Sequence, residues 1–98
     1  MDFSSALRGI KGGHRLARSG WNGKNMFVWL NRGSRDFPDD EPRPAKVDGV
    51  RTEMFDMGDT GTSTRLPNIN MSTASGAIVT GWLASQTDML ADDWEVVL

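Results

Sequence analysis

Met26-Phe27-Val28-Trp29-Leu30-Asn31 is the stretch that decides the architecture. Its aromatic and β-branched side chains suit a strand, and successive side chains of a strand point to opposite faces. Phe27 and Trp29 therefore share one face while Met26, Val28 and Leu30 share the other, so both faces are apolar. A sheet of this kind needs a covering layer on each side.

Upstream, Phe3, Ala6, Leu7 and Ile10 recur at i, i+3, i+4 and i+7, which predicts an amphipathic helix capped by Asp2 or Ser4 and stopped at Gly12-Gly13. That helix covers one face. His14 to Arg18 is expected to form a strand, and Asn22-Gly23 is the pair favoured in two-residue hairpin turns, placing Trp21 and Lys24 beside the turn. In so short a chain the economical second layer is a symmetry-related subunit. Either the Met26, Val28 and Leu30 face or the Phe27 and Trp29 face is expected at that contact.

Downstream, residues 33 to 65 are rich in Asp, Pro, Gly and Thr, with Pro38, Pro42 and Pro44 interrupting any regular element. A connection of this length reads as a variable insertion, docked through Met54 and Phe55. Ile69 to Met71 and Ala77 to Val79 read as a hairpin around Ser75-Gly76. Ser85-Gln86-Thr87-Asp88 reads as a capped helical turn and Trp94 to Leu98 as a final strand. The fold class is α+β, residues 1-98 forming one domain: a small antiparallel β-sheet with an N-terminal helix and short peripheral helices, oligomeric.

The 98 residues contain no cysteine, which excludes disulfides and thiolate metal sites and fits a reducing compartment. No apolar run approaches the roughly 18 residues of a membrane span, so a soluble protein is expected. The net charge of -2 conceals an asymmetry. Residues 1 to 32 hold six basic side chains against Asp2 alone, a local charge of +5, and the remainder carries -7. A basic portion attracts phosphates, while an acidic remainder disfavours a long polyanion. The same charges also serve simply to solubilise two faces.

A nucleotide pocket needs a flat apolar surface for the base, donors for phosphate and acceptors for ribose hydroxyls. Trp29 and Trp94 read as core, Phe27 and Trp82 as either core or stacking surface, and Trp21, beside the turn, as the first choice of stacking ring. Arg18 and Lys24 lie on opposite arms of the predicted hairpin, from which they can converge on a diphosphate or remain solvated. Asn22 suits a base or ribose contact, although turn formation alone explains it. Ser85, Gln86, Thr87 and Asp88 offer hydroxyl, amide and carboxylate groups, and Ser85 with Asp88 equally matches a helix capping box. Asp88, Asp92 and Asp93 read as solvated carboxylates in preference to a cation site. His14 is the only histidine and has no evident nucleophile beside it, and no phosphate-loop glycine pattern occurs, so no enzyme, cofactor or metal is expected.

Arg18-Ser19-Gly20-Trp21-Asn22-Gly23-Lys24-Asn25-Met26-Phe27 together with Gly81-Trp82-Leu83-Ala84-Ser85-Gln86-Thr87-Asp88-Met89-Leu90-Ala91-Asp92-Asp93-Trp94-Glu95 resembles a small phage-associated domain family, that of the second type of Thoeris anti-defence protein. The resemblance covers roughly residues 3 to 32 and 66 to 97. One departure stands at Thr80-Gly81-Trp82, where the family pattern usually places proline directly before the tryptophan, leaving the local backbone open. The resemblance implies a non-catalytic sponge for cyclic ADP-ribose isomers made by TIR-domain enzymes, acting in the bacterial host cytoplasm. It also implies assembly from dimers into a homotetramer and, in some relatives, a separate site for cyclic dinucleotides of CBASS systems. Thr87 and Asp88 as ligand contacts rest mainly on this likeness. Two other classes stay open: a phage structural or scaffold protein without a small ligand, and a nucleotide hydrolase.

Overall fold

The computed structural model describes residues 1-33 and 66-98. The chain divides into two compact units, Met1–Leu30 with Ile69–Leu98, and Asn31–Asn68. The expected docking of Met54 and Phe55 lies outside the described residues.

The first helix, α1 (Phe3–Lys11), starts where the Asp2 carboxylate accepts the Ser5 N–H at 2.9 Å, and it ends at Gly12. Ala6 and Ile10 are fully buried, and Phe3 and Leu7 are half-buried, as the apolar spacing requires. Among the described residues five strands follow: β1 (Arg15–Arg18), β2 (Phe27–Asn31), β3 (Asn68–Ser72), β4 (Ile78–Val79) and β5 (Trp94–Val97), with the one-turn helix α2 (Gln86–Leu90) before the last. They form one antiparallel sheet in the order β4-β3-β2-β1-β5. Leu16 faces Val28 across β1 and β2, and Arg18 faces Trp94 across β1 and β5. Ser72 faces Ile78 in the β3–β4 hairpin, whose turn carries Gly76 at φ 87°.

The core lies between α1 and one sheet face and consists of Ala6, Ile10, Leu16, Val28, Met71 and Trp94. Met26, Leu30, Ile69, Trp21 and Trp82 pack against it. Gly9 permits the close approach of helix and sheet, since a Cβ there would stand 3.1 Å from a Leu16 methyl. Val28 is fully buried within the chain, so the Met26, Val28 and Leu30 face belongs to the chain's own core. Phe27 and Trp29 remain half-buried on the opposite face. No described helix is long and apolar enough to cross a membrane.

The expected two-residue turn at Asn22-Gly23 is not formed. β1 ends at Arg18 and β2 begins at Phe27, leaving a broad loop whose left-handed residue is Asn25, at φ 62°. The cause lies on β5's side of β1: the Ser19 N–H donates to the Asp93 carbonyl at 3.1 Å and the Gly20 N–H to the Asp93 carboxylate at 2.8 Å. These bonds draw the chain towards β5 before a tight return to β2 can form.

The departure at Gly81 has a definite backbone consequence. Gly81 adopts φ 78°, which a proline ring cannot, and its N–H donates at 3.1 Å to Oδ1 of the buried Asn70. The next N–H, of Trp82, reaches the Ile69 carbonyl at 2.6 Å, anchoring this tryptophan to β3. Gly81→Ala is expected to lower unfolding free energy by about 1 to 2 kcal/mol through its left-handed backbone alone, since open space surrounds the position. Gly81→Pro is expected to cost more, because it also removes the donor to Asn70. Chemical denaturation of the two variants checks the ranking.

Candidate functional site

Three indoles meet beside the β1–β2 loop. Trp94 is buried beneath Trp21 and Trp82, with ring centroids 5.3 and 6.2 Å away, and Trp21 and Trp82 are 6.2 Å apart. All three contacts are edge-to-face, the arrangement that aromatic quadrupoles favour. The Trp94 indole N–H donates to the Asp88 carbonyl at 2.9 Å, so the buried ring also fixes α2.

Asp88 is the hub. Its N–H donates to the Ser85 hydroxyl and its carboxylate accepts the Ser85 N–H, completing the capping box. Its Oδ1 also accepts the Trp21 indole N–H at 3.1 Å and Nη1 of Arg18 at 2.9 Å. Arg18 turns Nε towards Asp93 Oδ1 at 2.8 Å and Nη2 towards Oδ2 at 3.5 Å. Asp93 Oδ2 further accepts the Gly20 N–H and, at 3.5 Å, the Ser19 hydroxyl. One guanidinium thus joins the turn at residues 85 to 88, the start of β5 and the Trp21 loop.

The sequence-predicted residues fall into two places. Trp21, Arg18, Trp82, Ser85 and Asp88 come together through these contacts. Asn22 and Lys24 lie exposed on the same loop as Trp21, and Gln86 and Thr87 exposed on the same turn as Asp88. Phe27 is elsewhere, on the sheet face away from α1. Its ring lies 5.5 Å from that of Trp29 and 5.1 Å from the Arg15 guanidinium carbon. These three, with Ser72 and Ile78 among others, line an open concavity of about 430 Å³.

Sequence reasoning missed Asp93 and Arg15. Asp88 and Asp93 are not solvated carboxylates: both pair with Arg18, whose side chain is only 15 % exposed. The signal available for Asp93 was an acidic side chain at the edge of a strand expected to carry a core tryptophan. Arg18 and Lys24 do not converge across a tight hairpin, since Arg18 faces the two carboxylates. Its five N–H donors nevertheless exceed the three bonds it makes, leaving donors on Nη1 and Nη2. Leu83 and Leu90, on either side of the polar turn, are 88 % and 80 % exposed.

Ionisation of this cluster follows its hydrogen bonds. Burial raises the Asp88 carboxyl, yet bonds from Arg18, Trp21 and Ser85 outweigh it and hold the group below the usual aspartate range. Asp93 is lowered chiefly by Arg18, against a smaller opposing effect of burial. Two depressed carboxyls stabilise the fold fully above the unfolded value of about 4, and that contribution is lost as pH falls through the lower folded values. Melting temperature is therefore expected to drop on acidification below about pH 4. Asp93→Asn removes one titration and one charged partner, so it is expected to melt earlier at neutral pH and to show a shallower acid slope. Equal slopes would count against the clamp as a stabilising contact.

Comparison with known proteins adds a family to this geometry. Residues 1–97 match the Tad2-like family, described as the Thoeris anti-defense 2-like domain. The chain is also 33% identical over 98 residues to Thoeris anti-defense 2 of Bacillus phage SP01, an alignment covering 99% of this chain and 94% of that protein. A match that spans the Trp21 loop, the polar turn and the aspartate before β5 leaves one conclusion: the chain belongs to the Thoeris anti-defense 2-like family.

Proposed function

We propose that this chain suppresses bacterial antiphage defence by binding, without chemical change, a cyclic ADP-ribose-type messenger made by TIR-domain enzymes in the host cytoplasm. Family membership supports the anti-defence role. The observation that carries the sequestration reading is the Asp88 hub, which brings a half-buried indole and two polar, exposed segments from opposite ends of the chain into one surface. Such a surface holds what a cyclic ADP-ribose-type ligand requires. Trp21, flanked by Trp82, stacks on the base; Lys24 and the remaining donors of Arg18 meet phosphate; Asn22, Ser85, Gln86 and Thr87 meet ribose or base edges. Asp88 positions Trp21 and adds an acceptor.

The second sheet face is assigned to assembly. Phe27, Trp29 and Ile78 leave apolar surface on the face opposite α1, and Leu83 and Leu90 add more beside the polar turn. A homo-oligomer, at least a dimer and in the family pattern a tetramer, covers these side chains and lets a neighbouring subunit close the pocket. Arg15 stands over Phe27 in the same concavity and leaves a cation and an aromatic floor at that contact, so a cyclic dinucleotide would be held there between subunits.

Incubation of protein with messenger, followed by denaturation, is expected to return intact nucleotide in stoichiometric amount. A changed product would support a hydrolase, and no retention a scaffold protein. Trp21→Ala is expected to weaken messenger binding at least tenfold, about 1.4 kcal/mol, with the oligomeric state unchanged. Thr87→Val, at an exposed position whose side chain makes no hydrogen bond among the described residues, is expected to weaken binding at an unchanged melting temperature. Calorimetry decides both.

Light scattering at low micromolar concentration is expected to give a species larger than the 10.8 kDa chain. Ile78→Glu, at a position 57 % exposed, is expected to shift it towards monomer. A monodisperse monomer of the unaltered protein would remove the assembly reading.

A further inference from the structure

We infer that Asn22 is a site of spontaneous deamidation, and that its conversion places a new carboxylate on the rim of the Trp21 surface and weakens anionic ligands there. The second half rests on the ligand placement proposed above; the first does not.

The chemistry needs an asparagine side chain free to turn back on the following peptide, and a following residue without a side chain to obstruct it. Asn22 is exposed and makes no hydrogen bond among the described residues, and it lies in the loop between β1 and β2, outside any regular element. The residue after it is Gly23, whose N–H likewise makes no hydrogen bond among the described residues. Loss of the Gly23 amide proton to solvent base lets that nitrogen attack Asn22 Cγ. The N–Cγ bond forms, the bond from Cγ to the side-chain nitrogen breaks, and ammonia leaves with the proton it needs from solvent, giving a five-membered succinimide. Water then opens either carbonyl, yielding aspartate or the backbone-lengthened isoaspartate. No oxidant, metal or enzyme is required.

Packing explains why the susceptible pair is built into this loop. A Cβ at residue 23 would stand 2.6 Å from both the Ala74 Cβ and the Met26 sulfur, so only glycine fits against the β3–β4 hairpin. The other asparagines, Asn25, Asn31, Asn68 and Asn70, precede Met, Arg, Ile and Met, whose side chains obstruct the ring closure. Asn70 is also buried. The conversion is therefore selective for one position out of five.

Both products act on the proposed site. Aspartate adds a negative charge one residue from Trp21 and two from Lys24, opposing a phosphate-bearing ligand. Isoaspartate also lengthens the backbone directly after Trp21, against the indole's bond to Asp88.

The test ages the full-length protein at mildly alkaline pH and physiological temperature, beside a sample kept in denaturant, and maps peptides by mass. The expected result is the mass gain of an amide-to-acid exchange on the Asn22 peptide of the folded protein, with the other asparagines unchanged. Mass is the readout because Asp48-Gly49 can form isoaspartate through the same ring without a mass change. Gain only in the denatured sample, or in neither, would overturn the modification site. The converted and unconverted fractions, separated by ion exchange, are then titrated with messenger, and the converted fraction is expected to bind at least tenfold more weakly. Asn22→Asp, which is one of the products, is expected to show the same loss. Conversion with equal affinity would overturn the weakening and move the ligand away from this loop, while the modification itself stands.

Discussion

The Arg18 guanidinium is the constraint on which the site's shape depends. It is bonded to Asp88 and Asp93, which are 70 and 75 residues distant in sequence, and the carboxylates in turn hold an indole, a helix cap and two loop donors. At side-chain exposures of 14 to 31 %, much of the Coulomb attraction is offset by desolvation, so the pairs contribute geometry more than net free energy. That geometry is directional. A planar guanidinium fixes the two carboxylates at set angles, which a lysine ammonium would not.

The short helix α2 shows what the constraint accomplishes. Five residues are too few for a helix to be stable alone, and none of these five is buried. Its persistence comes from the capping box, from the Trp94 indole bond to the Asp88 carbonyl, and from the Arg18 and Trp21 bonds to the Asp88 carboxylate. The capping and positioning roles of this residue are therefore one arrangement, since the side chain that accepts the Ser85 N–H with one oxygen presents the other to Trp21 and Arg18.

Local patterns were legible in the sequence wherever local physics decides. The spacing of Phe3, Ala6, Leu7 and Ile10 placed α1 and its buried stripe, the Ser75-Gly76 signal placed the β3–β4 turn, and the Ser85/Asp88 spacing placed the cap. The alternation in β2 correctly separated Val28 from Phe27 and Trp29. Asn22-Gly23 misled because the shape of that loop is set by Asp93, a partner that no local window contains. Arg18 misled for the same reason: in sequence it is a basic residue beside a turn, and only the pairing of β1 with β5 turns it inward. At Gly81 the glycine before the tryptophan was visible, but its meaning required the positive φ and the bond to Asn70.

Charge at the proposed pocket differs from what composition implies. The N-terminal third is strongly basic, yet the cluster itself balances, Arg18 and Lys24 against Asp88 and Asp93. With Arg18 neutralised by its two partners, Lys24 is the cation on the loop left without an ion pair among the described residues. Long-range attraction of a small anion is then weak, and ionic strength should affect its capture less than for a binder that works through a basic surface. Retention would come instead from stacking on Trp21 and from hydrogen bonds formed as water leaves, both of which act on the rate of release. The proposed sequestration would need this balance, because lowering a free messenger depends on holding it once captured, and a clamped loop loses less conformational entropy on binding than a free one.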